Sequence, residues 1–198
     1  MCGRYYINDE TAREIEKVVR QVNEKLLREQ RDIYPSAAAP VIIGQQNADK
    51  DKALLVAEYT WGFEHFDKSK KVIFNARAES VMEKPLFRDS ALKRRLVVPA
   101  SGFYEWNGQK DKFFFKSRHE KILLFAGIYR AGRFVILTTD ANESVKDVHD
   151  RMPLILDPPE IDEWIFDETR TVDILRKKPK ALEREISGQL SLFELPLQ

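Results

Sequence analysis

Two dipeptides constrain this chain more than any other feature. Asn107-Gly108 precedes Phe113–Phe115, and Ala131-Gly132 separates Ile122–Tyr129 from Phe134–Thr139. Such pairs accept the backbone conformations that tight hairpins need. The second half of the chain therefore reads as strands folded back on one another. Leu54–Tyr59 and Leu96–Val98 are strand-like in the same way, with a turn at Gly102. Tyr34-Pro35 and Ala39-Pro40 forbid helix and set up an extended run through Val41-Ile42-Ile43. Helical spacing is confined to the flanks. Thr11-Ala-Arg-Glu14 reads as a capping box, and Ile15, Val18, Val19, Val22, Leu26 and Leu27 behind it predict one amphipathic helix over 11–29. Short helices are predicted over Asn142–His149 and Pro159–Phe166, the latter with proline at its start. The expected fold is one α+β domain over 1–186, a largely antiparallel sheet system with helices at its edges, followed by a tail at 187–198.

Composition excludes several classes of function. At 43% hydrophobic, 198 residues can build one core without disulfide staples. The single cysteine, Cys2, excludes a disulfide framework, and one cysteine with three histidines does not complete a four-ligand zinc site unless carboxylates join. No metal and no organic cofactor is expected. The N-terminus turns polar at once, which argues against a signal peptide, and no apolar run reaches the ~18–20 residues of a membrane span. A cytoplasmic monomer that avoids membranes is expected. The charges nearly cancel to +1, but residues 65–133 hold 16 Lys and Arg against 7 Asp and Glu. A local excess of that size suits a polyanion such as nucleic acid.

Four places carry chemistry. Removal of Met1 would give Cys2 a free α-amine beside its thiol. An amine and thiol on adjacent carbons condense with an aldehyde, first to an imine and then to a five-membered thiazolidine. Their unperturbed pKa values, near ~8 and ~8.5, leave each a reactive fraction at neutral pH. In Asn75-Ala-Arg77-Ala-Glu79-Ser80, positions 75, 77 and 79 share one face if the segment is extended. Glu105 lies between aromatic residues in Gly102-Phe-Tyr-Glu105-Trp106, where desolvation would raise its pKa toward the range of a general acid or base. His149 closes a predicted helix in Val148-His149-Asp150-Arg151-Met152-Pro153.

Taken in order, Met-Cys-Gly-Arg-Tyr at the start, Asn-Ala-Arg-Ala-Glu-Ser at 75–80, Val-Pro-Ala-Ser-Gly-Phe-Tyr-Glu-Trp at 98–106, Leu-Thr-Thr-Asp-Ala-Asn at 137–142 and His-Asp-Arg-Met-Pro at 149–153 closely resemble the SRAP family. These are the SOS-response-associated peptidases, also called abasic-site processing proteins. The resemblance covers about residues 1–166. It implies twisted sheets in a barrel-like arrangement and a positively charged channel for single-stranded DNA containing abasic sites. By the same resemblance Cys2 is the nucleophile that forms a thiazolidine with the ring-opened deoxyribose. Asn75 holds the sugar, Glu105 shuttles protons, and His149 assists ring opening. Arg4 and Arg77 resemble phosphate clamps, and Trp61, in a Trp-Gly pair, a base-stacking residue. Two departures stand out. Phe63-Glu-His65-Phe66 replaces a Pro and second Trp, and Leu96 stands where the family often has cysteine.

Two other functions suit the same residues. Cys2, Glu105 and His149 would also serve a thiol autopeptidase acting on Met1, and the basic stretch would serve a non-covalent single-stranded DNA binding module. In the tail, Gln189-Leu190-Ser191-Leu192-Phe193 resembles the peptide by which bacterial replication and repair proteins dock on the sliding clamp. Leu192 and Phe193 would fill an apolar pocket and Gln189 would bond at its rim. Alternatively Leu190, Leu192 and Leu195 pack back on the domain.

Overall fold

The computed structural model describes residues 2–19, 30–46, 51–65 and 71–186. Strands β1 (Tyr5–Ile7), β2 (Arg31–Ile33), β3 (Ala38–Gln46), β4 (Lys52–Trp61), β5 (Phe63–Glu64), β6 (Val72–Ile73) and β7 (Asn75–Arg77) occupy the first half. The second holds β8 (Arg95–Ala100), β9 (Gly102–Trp106), β10 (Lys112–Lys116), β11 (Leu123–Arg130), β12 (Arg133–Asp140), β13 (Arg151–Pro153), β14 (Ile155–Leu156) and β15 (Glu183–Ile186). Helices α1 (Asp9–Val18), α2 (Pro85–Lys93), α3 (Glu160–Phe166) and α4 (Thr171–Leu175) flank them.

The strands make a five-stranded sheet in the order β15-β10-β9-β1-β2 and a larger sheet that closes on itself. In the larger sheet β12 pairs with β4, β4 with β3, β3 with β8, β8 with β11, and β11 again with β12. All these contacts are antiparallel except the short β4–β12 pairing, where Phe134 lies opposite Trp61. The α+β class and the barrel-like arrangement expected from the sequence are both present. The two diagnostic dipeptides do lie in hairpin loops. Ala131 and Gly132 both adopt positive φ, 50° and 72°, between β11 and β12, as a two-residue hairpin of this hand requires.

Closing the ring gives its strands two buried faces. Leu96 and Val98 join a cluster with Tyr5 and Phe103 of the five-stranded sheet, whereas Val97 between them packs with residues of α1, α2, α3 and α4. Arg95 ties two of those helices to the ring. Its buried guanidinium donates to the carbonyls of Leu92 and Trp164, and at 3.2 and 3.3 Å to those of Ala91 and Ile165. These are carbonyls that the ends of α2 and α3 leave without partners of their own.

Two helix expectations are corrected. The first helix runs from Asp9 to Val18, not from 11 to 29. Its cap is Asn8, whose Oδ1 accepts the Thr11 N–H at 3.0 Å while Thr11 Oγ1 accepts the Asn8 N–H at 3.2 Å. Thr11 thus closes the capping box instead of opening it, and the helix gains Asp9 and Glu10, whose charges suit its N-terminus. Val19 is extended and ends the helix; Val22, Leu26 and Leu27 lie outside the described residues. Asn142–His149 forms successive turns, not a helix. The Asn142 side chain directs this segment: its Oδ1 accepts from Ser144 N at 3.0 Å and its Nδ2 donates to the Pro179 carbonyl at 3.0 Å. A side chain that bonds its own following backbone competes with helix. The tail at 187–198, with Gln189, Leu190, Leu192 and Phe193, also lies outside the described residues.

Candidate active site

The site forms where the start of the chain runs between the two sheet systems. Tyr5 pairs with Phe103, and the Tyr104 N–H donates to the Arg4 carbonyl at 3.0 Å. Continuing that register brings Gly3 opposite Glu105 and Cys2 opposite Trp106, the last residue of β9. Alternation along β9 turns Phe103 and Glu105 inward and Tyr104 and Trp106 outward. Glu105 therefore enters an apolar cluster and is only 3% exposed. Burial raises its pKa to about 7, with the positive amino terminus pulling in the opposite direction. A carboxyl so placed exchanges protons at neutral pH.

Cys2 is fully buried, its thiol 3.6 Å from the Arg4 carbonyl. Burial, reinforced by the Glu105 charge, pushes its pKa far above the usual thiol range, so the resting sulfur is a thiol. Asn75 reaches the same point from the other sheet system. It opens β7, which pairs in parallel with β12, and its Nδ2 donates to the Cys2 carbonyl at 2.8 Å. Asn75 Oδ1 is buried and accepts no hydrogen bond among the described residues.

His149 follows the Asn142 turns. Its Nδ1 lies 3.0 Å from the Arg151 N–H and 2.8 Å from Asp150 Oδ1. A lone pair suits the first neighbour and a proton the second. The peptide N–H is fixed by β13, whereas the Asp150 side chain is 82% exposed and free to turn away, so Nδ1 is the acceptor and Nε2 carries the proton. Burial, and then the charge of the amino terminus, hold the imidazole pKa below its ordinary value. The amino terminus thus acts electrostatically on both His149 and Glu105, and Asp150 acts on Glu105. Cys2, Asn75, Glu105 and His149 form one neighbourhood.

The other sequence candidates divide. Arg77, two residues beyond Asn75 on β7, is exposed. Arg4 is half-buried among aromatic rings on the outward face, its guanidinium 4.5 Å from the Tyr34 centroid and 5.2 Å from that of Trp106, with Asp32 at 3.5 Å. Trp61 is not a surface platform. It is 0% exposed, packs edge-on to Tyr5 and stacks on Phe134, and donates its indole N–H to the Phe74 carbonyl at 2.8 Å. It closes the β4–β12 seam of the ring, so base stacking by Trp61 is corrected to core packing. Glu79 leaves the face it was expected to share, because the strand ends at Arg77 and a 3-10 turn follows.

The turned Glu79 meets a residue that the sequence did not single out. Arg151, 6% exposed, donates to both Glu79 oxygens at 2.9 and 2.8 Å, to Asp140 Oδ1 at 2.5 Å and to the Thr138 carbonyl at 2.7 Å. It fastens the segment after Asn75 to the backbone that orients His149. Its place in the His-Asp-Arg-Met-Pro motif at 149–153 was the available signal. Among the described residues no three His, Cys, Asp or Glu side chains stand close enough to hold a metal ion.

The arrangement defines a class: α+β proteins that gather buried polar residues around the start of the chain. Residues 1–188 match the family model described as SOS response associated peptidase (SRAP), and the chain belongs to that family. It is 29% identical over 196 residues to the abasic site processing protein YoqW of Bacillus subtilis (strain 168), covering 89% of this chain and 85% of that protein. To the abasic site processing protein HMCES of Gallus gallus it is 29% identical over 187 residues, covering 72% of this chain and 55% of that protein. A crystal structure of a protein from Bacteroides thetaiotaomicron has the same fold, with a TM-score of 0.75 at 23% identity over 93% of this chain and 91% of that one.

Proposed function

We propose that this protein, once Met1 is removed, crosslinks covalently to abasic sites in single-stranded DNA through a thiazolidine at Cys2. The observation that carries this reading is Glu105. A carboxyl 3% exposed, with its pKa brought to about 7, stands beside a buried thiol at the start of the chain. Aldehyde condensation with a 1,2-aminothiol needs a proton donor for one step and an acceptor for the next, and such a carboxyl serves both.

The abasic sugar must first open. A hydrogen bond from His149 Nε2–H to the ring oxygen weakens the C1–O bond, while water carries the anomeric hydroxyl proton to that oxygen. The Cys2 amine then adds to the aldehyde carbon, and protonated Glu105 gives its proton to the departing hydroxyl, which leaves as water. The resulting Glu105 carboxylate accepts the thiol proton. Sulfur bonds to the imine carbon, the C=N electron pair returns to nitrogen, and the five-membered ring is closed. Asn75 keeps the Cys2 carbonyl in place through its Nδ2 and has Oδ1 to offer a sugar hydroxyl. Arg77, exposed two residues beyond Asn75, suits a phosphate.

The test is a denaturing gel of protein mixed with abasic single-stranded DNA. Wild type gives an adduct stable to heat and detergent. Cys2→Ala gives none, and Cys2→Ser gives one only when an imine is trapped by borohydride. A full yield of stable adduct from Cys2→Ala would overturn the reading. The tail is a separate proposal, carried by its sequence: residues 189–193 dock on the bacterial sliding clamp. A 187–198 peptide is expected to bind with Kd near ~10 μM or below, about −7 kcal/mol. Loss of Leu192 and Phe193 should abolish binding and leave crosslinking intact.

A further inference from the structure

Among the buried residues on the inward face of the five-stranded sheet, two carry a polar group, Glu105 its carboxyl and Tyr5 its hydroxyl; Arg31, opposite Ile7, and Arg184, opposite Phe115, share that face but are less buried. Proton transfer gives Glu105 a use; Tyr5 has none so far. Its ring is fully buried, 5.2 Å from the Trp61 centroid and 6.0 Å from that of Phe125. Its hydroxyl makes no hydrogen bond among the described residues. Leaving a buried hydroxyl without a partner is unfavourable, and phenylalanine would fill the same space without that cost.

Cys2 lies in the same buried cluster. Its thiol is held by the Arg4 carbonyl, the peptide group that leads directly into Tyr5. Both side chains are fully buried, and burial followed by the charge of an ionised Cys2 raises the Tyr5 pKa while the Arg31 charge lowers it. The Arg4 carbonyl is an acceptor, so it suits a thiol and repels a thiolate. When the thiol proton passes to Glu105, the sulfur needs a donor in an apolar surrounding.

We propose that Tyr5 is a further catalytic residue of this site, its buried and unpartnered hydroxyl donating a hydrogen bond to the Cys2 sulfur as that sulfur attacks the imine carbon. The proton of the thiol goes to the Glu105 carboxylate, the sulfur pair forms the S–C bond, and the C=N pair goes to nitrogen. Tyr5 keeps its own proton throughout. It supports ring closure and not imine formation, in which the sulfur takes no part.

This inference rests on the thiazolidine reading, and one variant separates the two. Tyr5→Phe removes a single oxygen. Imine is read as the adduct captured with cyanoborohydride, and ring closure as the heat-stable adduct formed without reductant. The expected result is ring closure slowed about 10- to 100-fold, the range of a hydrogen bond to a charged group. Imine capture should persist, and the melting temperature should stay equal or rise. Unchanged ring closure in Tyr5→Phe, with wild type still forming stable adduct, overturns the role of Tyr5 alone. A lower melting temperature overturns it too, since the hydroxyl would then serve the fold. A wild type that forms no stable adduct overturns both readings.

Discussion

The Asn75 side-chain amide donates to the Cys2 carbonyl at 2.8 Å, and this bond joins the two sheet systems at the point where the chain begins. Cys2 leads into β1 of the five-stranded sheet, whereas Asn75 opens β7 against β12 of the closed ring. The reactive residue is therefore positioned by an element 73 residues away in sequence.

Asn75→Ala should slow crosslinking at least ~10-fold while costing only ~1 kcal/mol of stability, the net worth of one hydrogen bond. Asn75→Asp, which cannot donate when ionised, should behave like the alanine variant. Adduct time courses beside thermal melts check this. Wild-type rates in both variants would reduce Asn75 to a turn residue.

Glu105→Gln should keep DNA binding and slow crosslinking or its reversal at least ~10-fold, the low side of a proton-transfer effect. Stability supplies a second readout. The folded-state pKa, about 7, is raised above the ordinary carboxyl value of 4.5. Between those values the folded protein holds a proton that the unfolded chain has lost, so Glu105 makes stability fall as pH rises from 4.5 to about 7. Glu105→Gln removes this loss, and should exceed wild type by up to ~3 kcal/mol at pH 8. The two should converge below about pH 4.5 in that respect. Denaturant melts across this range check the sign.

Arg77 and Arg4 should separate under salt titration. Arg77→Ala should reduce the salt dependence of single-stranded DNA binding by about one counterion with no change in melting temperature. Arg4 packs against Tyr34 and Trp106 and pairs with Asp32, so Arg4→Ala should lower the melting temperature as well. Equal salt slopes for wild type and Arg77→Ala would remove Arg77 from the interface.

Trp61→Ala should cost ~3–5 kcal/mol, as truncation of a large buried aromatic does. A residue that stacked on DNA bases from the surface would cost little stability. Urea melts decide between the two roles for Trp61.

The strands were legible because alternation and turn residues are local signals: Ala131 and Gly132 act through their positive φ, and Asn107 through an Oδ1 that accepts from Gln109 N and Asp111 N. Asn75, Glu105 and His149 could be singled out for the chemistry of their side chains, and alternation was read for 75, 77 and 79, whereas the strand that turns Glu105 inward was not. What failed was nonlocal. Trp61 reads as an exposed aromatic until the ring closes over it through Phe134. The Asn142 turns were hidden because their direction comes from the Pro179 carbonyl, 37 residues on. Arg151 and Tyr5 stand inside the motifs that hold His149 and Cys2, but their roles were not legible there, since their meaning lies in what surrounds them.

Intact mass spectrometry of the protein after incubation with abasic single-stranded DNA tests the central claim most directly. The account predicts one species whose mass is that of the chain lacking Met1 plus the DNA, less one water. It should form without reductant and be absent for Cys2→Ala. A chain that retains Met1 in the adduct, or an adduct of equal yield from Cys2→Ala, would contradict it.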